Sequence, residues 1–137
     1  MKKHVIIAVT NDLTTDQRIN RVAHTLSQNG YIVMLVGHVF NKNNIFNTQY
    51  NFTRFNLPFK TGPLFYLCYN IRLFFFILNT KYDIIVANDT DLLTGAYCAN
   101  LLKRKRLVFD SHELFTELPE LVNKPFNKFI WKTVEHC

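Results

Sequence analysis

Side chains that can transfer protons, bind hydroxyls or hold metals gather in the segment LVFDSHELFTE, residues 107–117. Asp110, Ser111, His112 and Glu113 follow an apolar run there without a break. Three interpretations are open for this segment: a catalytic cluster, a metal site, or a polar turn that caps a helix. No His/Cys spacing elsewhere in the chain indicates zinc, which weakens the metal interpretation.

Two more polar clusters stand directly after apolar runs. Asn11 and Asp12 follow the run HVIIAV, residues 4–9. The second run, YDIIVAN, spans residues 82–88. It ends at Asn88, and Asp89, Thr90 and Asp91 follow. Each cluster also has a structural interpretation, in which Asp12 or a neighbouring threonine caps the first helix and Asp91 caps the next. For His112 the structural alternative is a histidine at a helix start, held by Asp110 or Glu113.

Alternating strand and helix patterns predict the scaffold that positions these clusters. Short apolar runs predict strands at 4–9, 31–37, 50–57, 82–88 and 106–111. Helices are predicted from the capping-box spacing of Thr14 and Gln17 to Gly30, at 64–79, at 91–103, and from Pro125 to the end. This alternation favours an α/β fold, a Rossmann-like doubly wound parallel sheet in one domain spanning residues 1–137.

The predicted sheet brings the three clusters together. In open α/β sheets, ligands bind beyond the carboxyl ends of the strands, near the point where the strand order reverses. The first and fourth strands are neighbours in the commonest doubly wound order. The clusters are therefore expected to share one crevice, which is more informative than any cluster alone.

Composition limits the classes of function. The chain has 137 residues, 48% of them hydrophobic, and a net charge of +6, which favours anionic partners. An odd count of three cysteines fits a reduced, cytoplasmic protein. No transmembrane helix is expected, because Asn70 and Arg72 interrupt the longest apolar stretch, residues 63–78. No RNA-binding aromatic motif or helix-turn-helix signal is present, so nucleic-acid binding is not expected.

Several other features have a structural and a functional interpretation. The basic run KRKR, residues 103–106, complements a helix dipole at its C-terminal end or contacts phosphate or a membrane. The aromatic stripe of Phe65, Tyr66, Tyr69 and Phe74 is expected in the core, with a membrane-interfacial surface as the alternative. The first loop, TNDLTTDQR, contains no glycine, which counts against a dinucleotide-binding dehydrogenase.

Three segments in order resemble the N-terminal half of a GT-B glycosyltransferase of the retaining GT4 family. They are NDLTTDQRINRVAHTLSQNGYIVMLVG, YDIIVANDTDLL and KRLVFDSHELFTELPEL, and the resemblance covers nearly the whole chain except residues 38–80, where it is weakest. It departs from the family at Asn11-Asp12-Leu13, where most members have glycine near the donor phosphates. Asp89-Thr90-Asp91 also matches the DxD metal pattern of another glycosyltransferase fold, which the opening βαβ unit does not suit.

The resemblance implies an enzyme that transfers a sugar from a nucleotide-sugar to an acceptor hydroxyl with retention, without a metal or other cofactor. His112 maps onto the family histidine beside the reacting sugar, and Asp12 or Asp89 is expected to orient the acceptor hydroxyl. The expected substrate-binding residues are Asn11, Arg18, Asn88, Asp110, Ser111 and Glu113. The resemblance implies a cytoplasmic enzyme of cell-surface polysaccharide or glycoconjugate synthesis, with peripheral contact at the inner face of the membrane.

A donor-binding C-terminal domain is expected beyond this chain. The last predicted helix runs to Cys137 without a capping residue, which indicates an incomplete domain. The 137-residue chain alone is therefore expected to be inactive. The alternative is a stand-alone, non-catalytic α/β binding module or a membrane or partner adaptor.

Overall fold

A computed structural model describes residues 1–43 and 45–110 of the chain. Ser111, His112, Glu113 and the helix expected from Pro125 lie outside the described residues. The elements in chain order are β1 (His4–Ala8), α1 (Gln17–Gln28), β2 (Ile32–His38), β3 (Asn51–Phe55), α2 (Gly62–Asn79), β4 (Ile84–Asn88), a 3₁₀ turn (Thr90–Leu92), α3 (Leu93–Lys103) and β5 (Arg106–Asp110).

The five strands form one parallel sheet in the order β3-β2-β1-β4-β5. β1 lies at the centre, with Ala8 paired to Val36 of β2 on one side and to Ala87 of β4 on the other. The chain moves from β1 to β3 in one direction and then crosses back to β4, so the strand order reverses between β1 and β4. This confirms the predicted Rossmann-like α/β fold and locates its crevice beside the end of β1.

Both faces of the sheet are covered because the central strands are apolar at successive positions. Ile6, Ala8 and Ile85 face α2 and α3 in one buried cluster. Val5 and Ile7 point the opposite way, into a second cluster with α1. Two packed layers therefore hold the strand ends, and the loops that follow them, in fixed relative positions.

The start of α1 differs from the prediction. Asp16, rather than Asp12 or Thr14, is the N-cap, and its carboxylate accepts a hydrogen bond from the Arg18 backbone N–H at 3.1 Å. The capping-box prediction for Thr14 and Gln17 was therefore wrong. The predicted end was correct, since Gly30 follows the C-cap with a φ of 85°.

Helix α2 has one buried stripe. Phe65, Tyr69, Leu73 and Ile77 recur every four residues and pack against the sheet and α3. Of the predicted aromatic stripe, Phe65 and Tyr69 are buried, whereas Tyr66 and Phe74 are partly buried against the same core. At 18 residues with a mean hydropathy of 1.2, α2 is long and apolar enough for a membrane span by length and composition alone. Only 22% of this segment is buried, and length and composition alone do not show a membrane span, so the expectation that no transmembrane helix is present stays a prediction.

Candidate functional site

The loop after β1 is pressed against the end of β2. The His38 backbone N–H donates to the Asn11 carbonyl at 3.2 Å. A Cβ on Gly37 would lie 2.6 Å from Leu13 Cγ and 3.0 Å from the Asn11 carbonyl oxygen. The loop closes this tightly only because position 37 has no side chain.

The Asp12 carboxylate is held by bonds within this loop and to residues that follow β2. Its carboxylate accepts hydrogen bonds from the backbone and hydroxyl of Thr14, at 3.0 and 2.8 Å, and from the Phe40 N–H at 3.4 Å. Arg54 Nη2 lies 3.4 Å from the same carboxylate. Burial acts to raise the pKa of Asp12, but these hydrogen bonds and the Arg54 charge together lower it. The geometry therefore gives Asp12 a clear part in fixing the loop between β1 and α1.

The loop after β4 starts with a strained residue. Asp89 has a φ of 77° and a ψ of 148°, a region that glycine adopts readily and other residues rarely do. The Asp89 N–H donates to the Asp110 carbonyl at 3.1 Å, which ties the loop to the end of β5. This conformation turns the chain sharply out of β4 and into the 3₁₀ turn.

Asp91 joins the two loops across the point where the strand order reverses. Thr10 Oγ1 donates to Asp91 Oδ2 at 2.6 Å, although the two residues are 81 positions apart. Asp91 does not cap α3, whose N-cap is Leu92, so the predicted capping role was wrong. Burial raises the pKa of Asp91 to about 6, although the hydrogen bond from Thr10 acts in the opposite direction.

Asn70 of α2 anchors the loop that carries Asp91. Its side-chain amide donates to the Asp91 carbonyl at 2.8 Å and to the Tyr66 carbonyl at 2.7 Å, and its oxygen accepts from the Gly95 N–H at 2.8 Å. A Cβ on Gly95 would lie 2.5 Å from the Asn70 carbonyl oxygen. α2 and α3 therefore approach closely at this point, and both hold the loop.

Arg18 is the cation that links the three loop regions. Its guanidinium lies 3.2 Å from Asp16 and 3.8 Å from Asp89. The hydrogen bond to Asp16 is the main cause of the raised pKa of Arg18, and the charges of Asp89 and Asp110 raise it further. One positive charge thus faces carboxylates from α1, from the end of β4 and from the end of β5.

A cleft of about 430 Å³ opens where these loops meet. Lys60 also lines it, just before α2, and donates from Nζ to the Phe40 carbonyl at 2.8 Å. The lining of the cleft thus combines cations with carboxylates. Its lining residues are Thr10, Asn11, Arg18, Phe40, Lys60, Thr61, Gly62, Phe65, Tyr66, Asp89 and Asp91.

A buried histidine stands behind the aromatic wall of the cleft. His38 has no exposed surface, and its ring lies 4.5 Å from the Phe40 ring and 4.8 Å from the Phe65 ring, both edge-on. Burial lowers the pKa of His38, so the imidazole is kept neutral. The wall formed by Phe40 and Phe65 therefore rests on an uncharged polar ring.

The predicted site residues divide into three groups. Asn11, Arg18 and Asp89 line the cleft, whereas Asp12 lies in a shallower neighbouring depression with Asp16. Asn88 is buried at the end of β4, and Asp110 ends β5. His112, Ser111 and Glu113 lie outside the described residues.

The prediction missed several cleft residues. Thr10, Lys60 and Tyr66 were not identified as site residues, and Asp91 was interpreted as a cap. The position of Asp91 directly after a strand was a usable signal. For Lys60 and Tyr66 no comparable signal exists, because they reach the cleft only through the crossover that places the start of α2 beside β1.

Within residues 1–43 and 45–110, no three His, Cys, Asp or Glu side chains are grouped closely enough to hold a metal ion. Asp89 and Asp91 have separate partners, Arg18 and Thr10, at 3.8 and 2.6 Å. The geometry of the DxD segment thus supports an ion pair and a hydrogen bond.

Comparison with known proteins relates the chain to solved structures. No protein-family model matches the sequence, and no curated protein matches it significantly. The structure of LpCGTa in complex with UDP is 12% identical with a TM-score of 0.59, and the match covers 90% of this chain and 35% of that one. The UDP-GlcNAc 2-epimerase from Methanocaldococcus jannaschii is 13% identical with a TM-score of 0.56, over 98% of this chain and 37% of the epimerase.

These matches concern the fold. The chain spans about a third of the length of the two solved structures. At such low identity they show a shared architecture and assign no residue roles. The chain therefore has the Rossmann-like α/β fold of one domain of GT-B enzymes.

Proposed function

We propose that this chain is the acceptor-binding N-terminal half of a GT-B glycosyltransferase that transfers a sugar from a nucleotide-sugar to an acceptor hydroxyl. The observation that carries the proposal is the cleft at the reversal of strand order, where the loops after β1 and β4 are joined by the Thr10–Asp91 hydrogen bond. Ligand sites of open α/β sheets lie at this position. The similarity to LpCGTa bound to UDP and to a UDP-GlcNAc 2-epimerase supports a nucleotide-sugar reaction.

The cleft has the chemistry that an acceptor hydroxyl needs. Asp89 and Asp91 line the cleft with carboxylates, and a carboxylate accepts a hydrogen bond from a hydroxyl and orients it for attack. With its pKa raised to about 6, Asp91 is a stronger base than an ordinary aspartate, whose pKa is 3.8. Asp91 therefore joins Asp89 and Asp12 as a candidate for orienting the acceptor.

The cations of the cleft suit an anionic part of a substrate. Arg18 and Lys60 both line it, and Tyr66 and Phe65 add aromatic surface of the kind that packs on sugar rings. Positioning the reactants and stabilising the leaving phosphate carry most of the effect in such transfers. In this proposal the phosphate contacts come largely from a donor-binding C-terminal domain.

The finer parts of the proposal rest on the resemblance to GT4 sequences. They are retention of anomeric configuration, a place for His112 beside the reacting sugar, and no metal requirement. A cytoplasmic role in cell-surface polysaccharide or glycoconjugate synthesis belongs to the same set. The substrate-binding roles of Asn11, Asn88, Asp110, Ser111 and Glu113 are also proposals of this kind.

The test is activity of the parent gene product with a panel of UDP-sugars and hydroxyl acceptors, with products identified by mass spectrometry. Asp89→Asn and Asp91→Asn are each expected to lower kcat/KM by about 100-fold or more, the range for losing a positioned acid–base group. Asp83→Asn is the matched control, because Asp83 lies at the amino end of β4 and binds the His4 N–H at 2.9 Å. It is expected to retain activity within a few fold.

Two results would contradict the proposal. Wild-type activity in both cleft variants would show that the described cleft is not the acceptor site. Conversion of a UDP-sugar to its 2-epimer without any acceptor would favour an epimerase, the activity named for the second structural neighbour.

A further inference from the structure

The outward face of α2 is apolar along most of its length. Leu67 and Phe75 are 56% and 55% exposed, and they lie opposite the buried stripe of the same helix. A surface helix of a water-soluble domain normally carries polar side chains on this face. Asn70 is turned sideways, towards α3, where its amide is fully used.

The apolar face continues onto the neighbouring helix. α3 packs beside α2 in the same orientation, and Leu102 is 68% exposed in its last turn. Lys103 Nζ donates to the Thr80 carbonyl at 3.0 Å, which fixes the ends of the two helices side by side. We call this region the α2–α3 surface and define it by Leu64, Leu67, Ile71, Phe75, Leu101 and Leu102.

Cations predominate around the α2–α3 surface, although the half-exposed Asp83 lies 4.0 Å from Lys105. Neither α2 nor α3 contains an acidic residue. A run of four cations, Lys103, Arg104, Lys105 and Arg106, begins at the last residue of α3, at one end of the surface. The acidic residues of the cleft lie at the opposite, carboxyl edge of the sheet, in the loops after β1 and β4.

We infer that the α2–α3 surface docks onto an anionic lipid bilayer, with its leucine, isoleucine and phenylalanine side chains in the interface and the basic run against lipid phosphates. Apolar area together with cations is what drives interfacial binding of amphipathic surfaces. A second copy of the chain fits less well, because among the described residues Asp83 is the carboxylate beside this basic run, 4.0 Å from Lys105, and it leaves the net charge there positive. The mean hydropathy of α2 agrees with an apolar environment.

The test is co-sedimentation of the 137-residue chain with vesicles of phosphatidylcholine containing phosphatidylglycerol, and with pure phosphatidylcholine vesicles. Binding is expected only to the anionic vesicles and is expected to weaken in high salt. Ile71→Ser/Phe75→Ser is expected to lower the partition coefficient at least about tenfold, through lost apolar area. Arg104→Gln/Arg106→Gln is expected to lower it about 30-fold, at about 1 kcal/mol for each charge.

The matched control is Ile45→Ser, which removes an apolar side chain that is 90% exposed but lies outside the α2–α3 surface. It is expected to bind vesicles like the wild type, and circular dichroism establishes that each variant is folded. Absence of vesicle binding by the folded wild type overturns the inference. Equal binding by the Ile71→Ser/Phe75→Ser variant does the same.

Sedimentation velocity gives the remaining decisive outcome. A concentration-dependent dimer that Ile71→Ser/Phe75→Ser abolishes would assign the α2–α3 surface to a second copy and overturn the lipid assignment. Because none of these measurements involves a sugar nucleotide or an acceptor, their failure would leave the proposed function untouched, and failure of the proposed function would leave them untouched.

Discussion

Thr10 Oγ1 and Asp91 Oδ2 lie 2.6 Å apart and close the sheet at the point where its strand order reverses. The hydrogen bond joins the loop after β1 to the loop after β4 over 81 residues of chain. It lowers the pKa of a carboxyl group that burial raises, and burial has the larger effect. The hydrogen bond from Thr10 therefore also favours the charged form of Asp91, which burial disfavours.

The pKa of Asp91 predicts a loss of stability with rising pH. Because the folded-state pKa is about 6 and the ordinary value is 3.8, the folded state binds the proton more tightly than the unfolded state. The stabilisation is fully present below pH 3.8 and is lost as pH rises through 6, by up to about 3 kcal/mol. The free energy of unfolding of Asp91→Asn should lack this decline.

The comparison is made as the difference in unfolding free energy between wild type and Asp91→Asn at each pH, measured with urea. Other titrating groups cancel in this difference. Asp83→Asn, which changes a half-exposed carboxylate at the other edge of the sheet, serves as the control; it retains Asp91 and is therefore expected to retain the decline in stability with rising pH. A flat difference for Asp91→Asn would show that Asp91 does not titrate with a raised pKa.

His38 predicts the opposite dependence. Burial lowers its pKa below the ordinary value of 6.5, so the unfolded state takes up the proton more readily than the folded state. Its contribution to stability is present above pH 6.5 and is lost as pH falls through the folded pKa. The free energy of unfolding of His38→Leu is expected to be less sensitive to pH than that of the wild type between pH 6.5 and the folded-state pKa of His38.

The control for this prediction is His24→Leu, a substitution at an exposed position of α1. It retains His38 and is therefore expected to retain the acid-dependent loss of stability. The proton on His38 can be followed directly by NMR of its ring carbons. A His38 titration at or above the ordinary value would contradict the prediction.

The strained backbone of Asp89 predicts an unusual order of stabilities. Asp89→Ala and Asp89→Gly both lose the carboxylate near Arg18, so the difference between them reports on the backbone. At a φ of 77° and a ψ of 148°, glycine is expected to be more stable than alanine by about 1–2 kcal/mol. At ordinary positions glycine is the less stable of the two.

Urea unfolding of the two Asp89 variants provides the measurement. The same pair of substitutions at Thr94, an exposed position within α3, is the control and should give the ordinary order, with alanine the more stable. If alanine is also favoured at position 89, the loop after β4 does not have the conformation described.

Most of the fold was predictable from local patterns. Short apolar runs marked the strands, as in HVIIAV, because a parallel sheet covered on both faces needs apolar side chains at successive positions. The helix boundaries were less predictable. Asp16 and Thr14 are both good N-cap residues, and the choice between them depends on the bonds that Asp12 makes to Thr14 and Arg54.

The site was predictable only where it follows the ends of strands. Asn11, Asp89 and Asp91 could be placed at one sheet edge because β1 and β4 are neighbours in the commonest strand order. Their roles could not be assigned in this way. The fixed position of Asp12 depends on Arg54, 42 residues away, and such long-range pairs leave no local pattern in a sequence.

Gly95 predicts the cost of separating α2 from α3. A Cβ at this position would lie 2.5 Å from the Asn70 carbonyl oxygen, a backbone atom that can move only with α2. Gly95→Ala is therefore expected to destabilise the chain by about 1–3 kcal/mol. Helix propensity alone would favour alanine by about 1 kcal/mol, so the sign of the effect distinguishes the close approach from propensity. Thr94→Ala, one residue earlier and exposed, is the control and should be neutral or slightly stabilising in the same urea titration. A Gly95→Ala variant as stable as Thr94→Ala would mean that Asn70 does not hold the two helices at this distance.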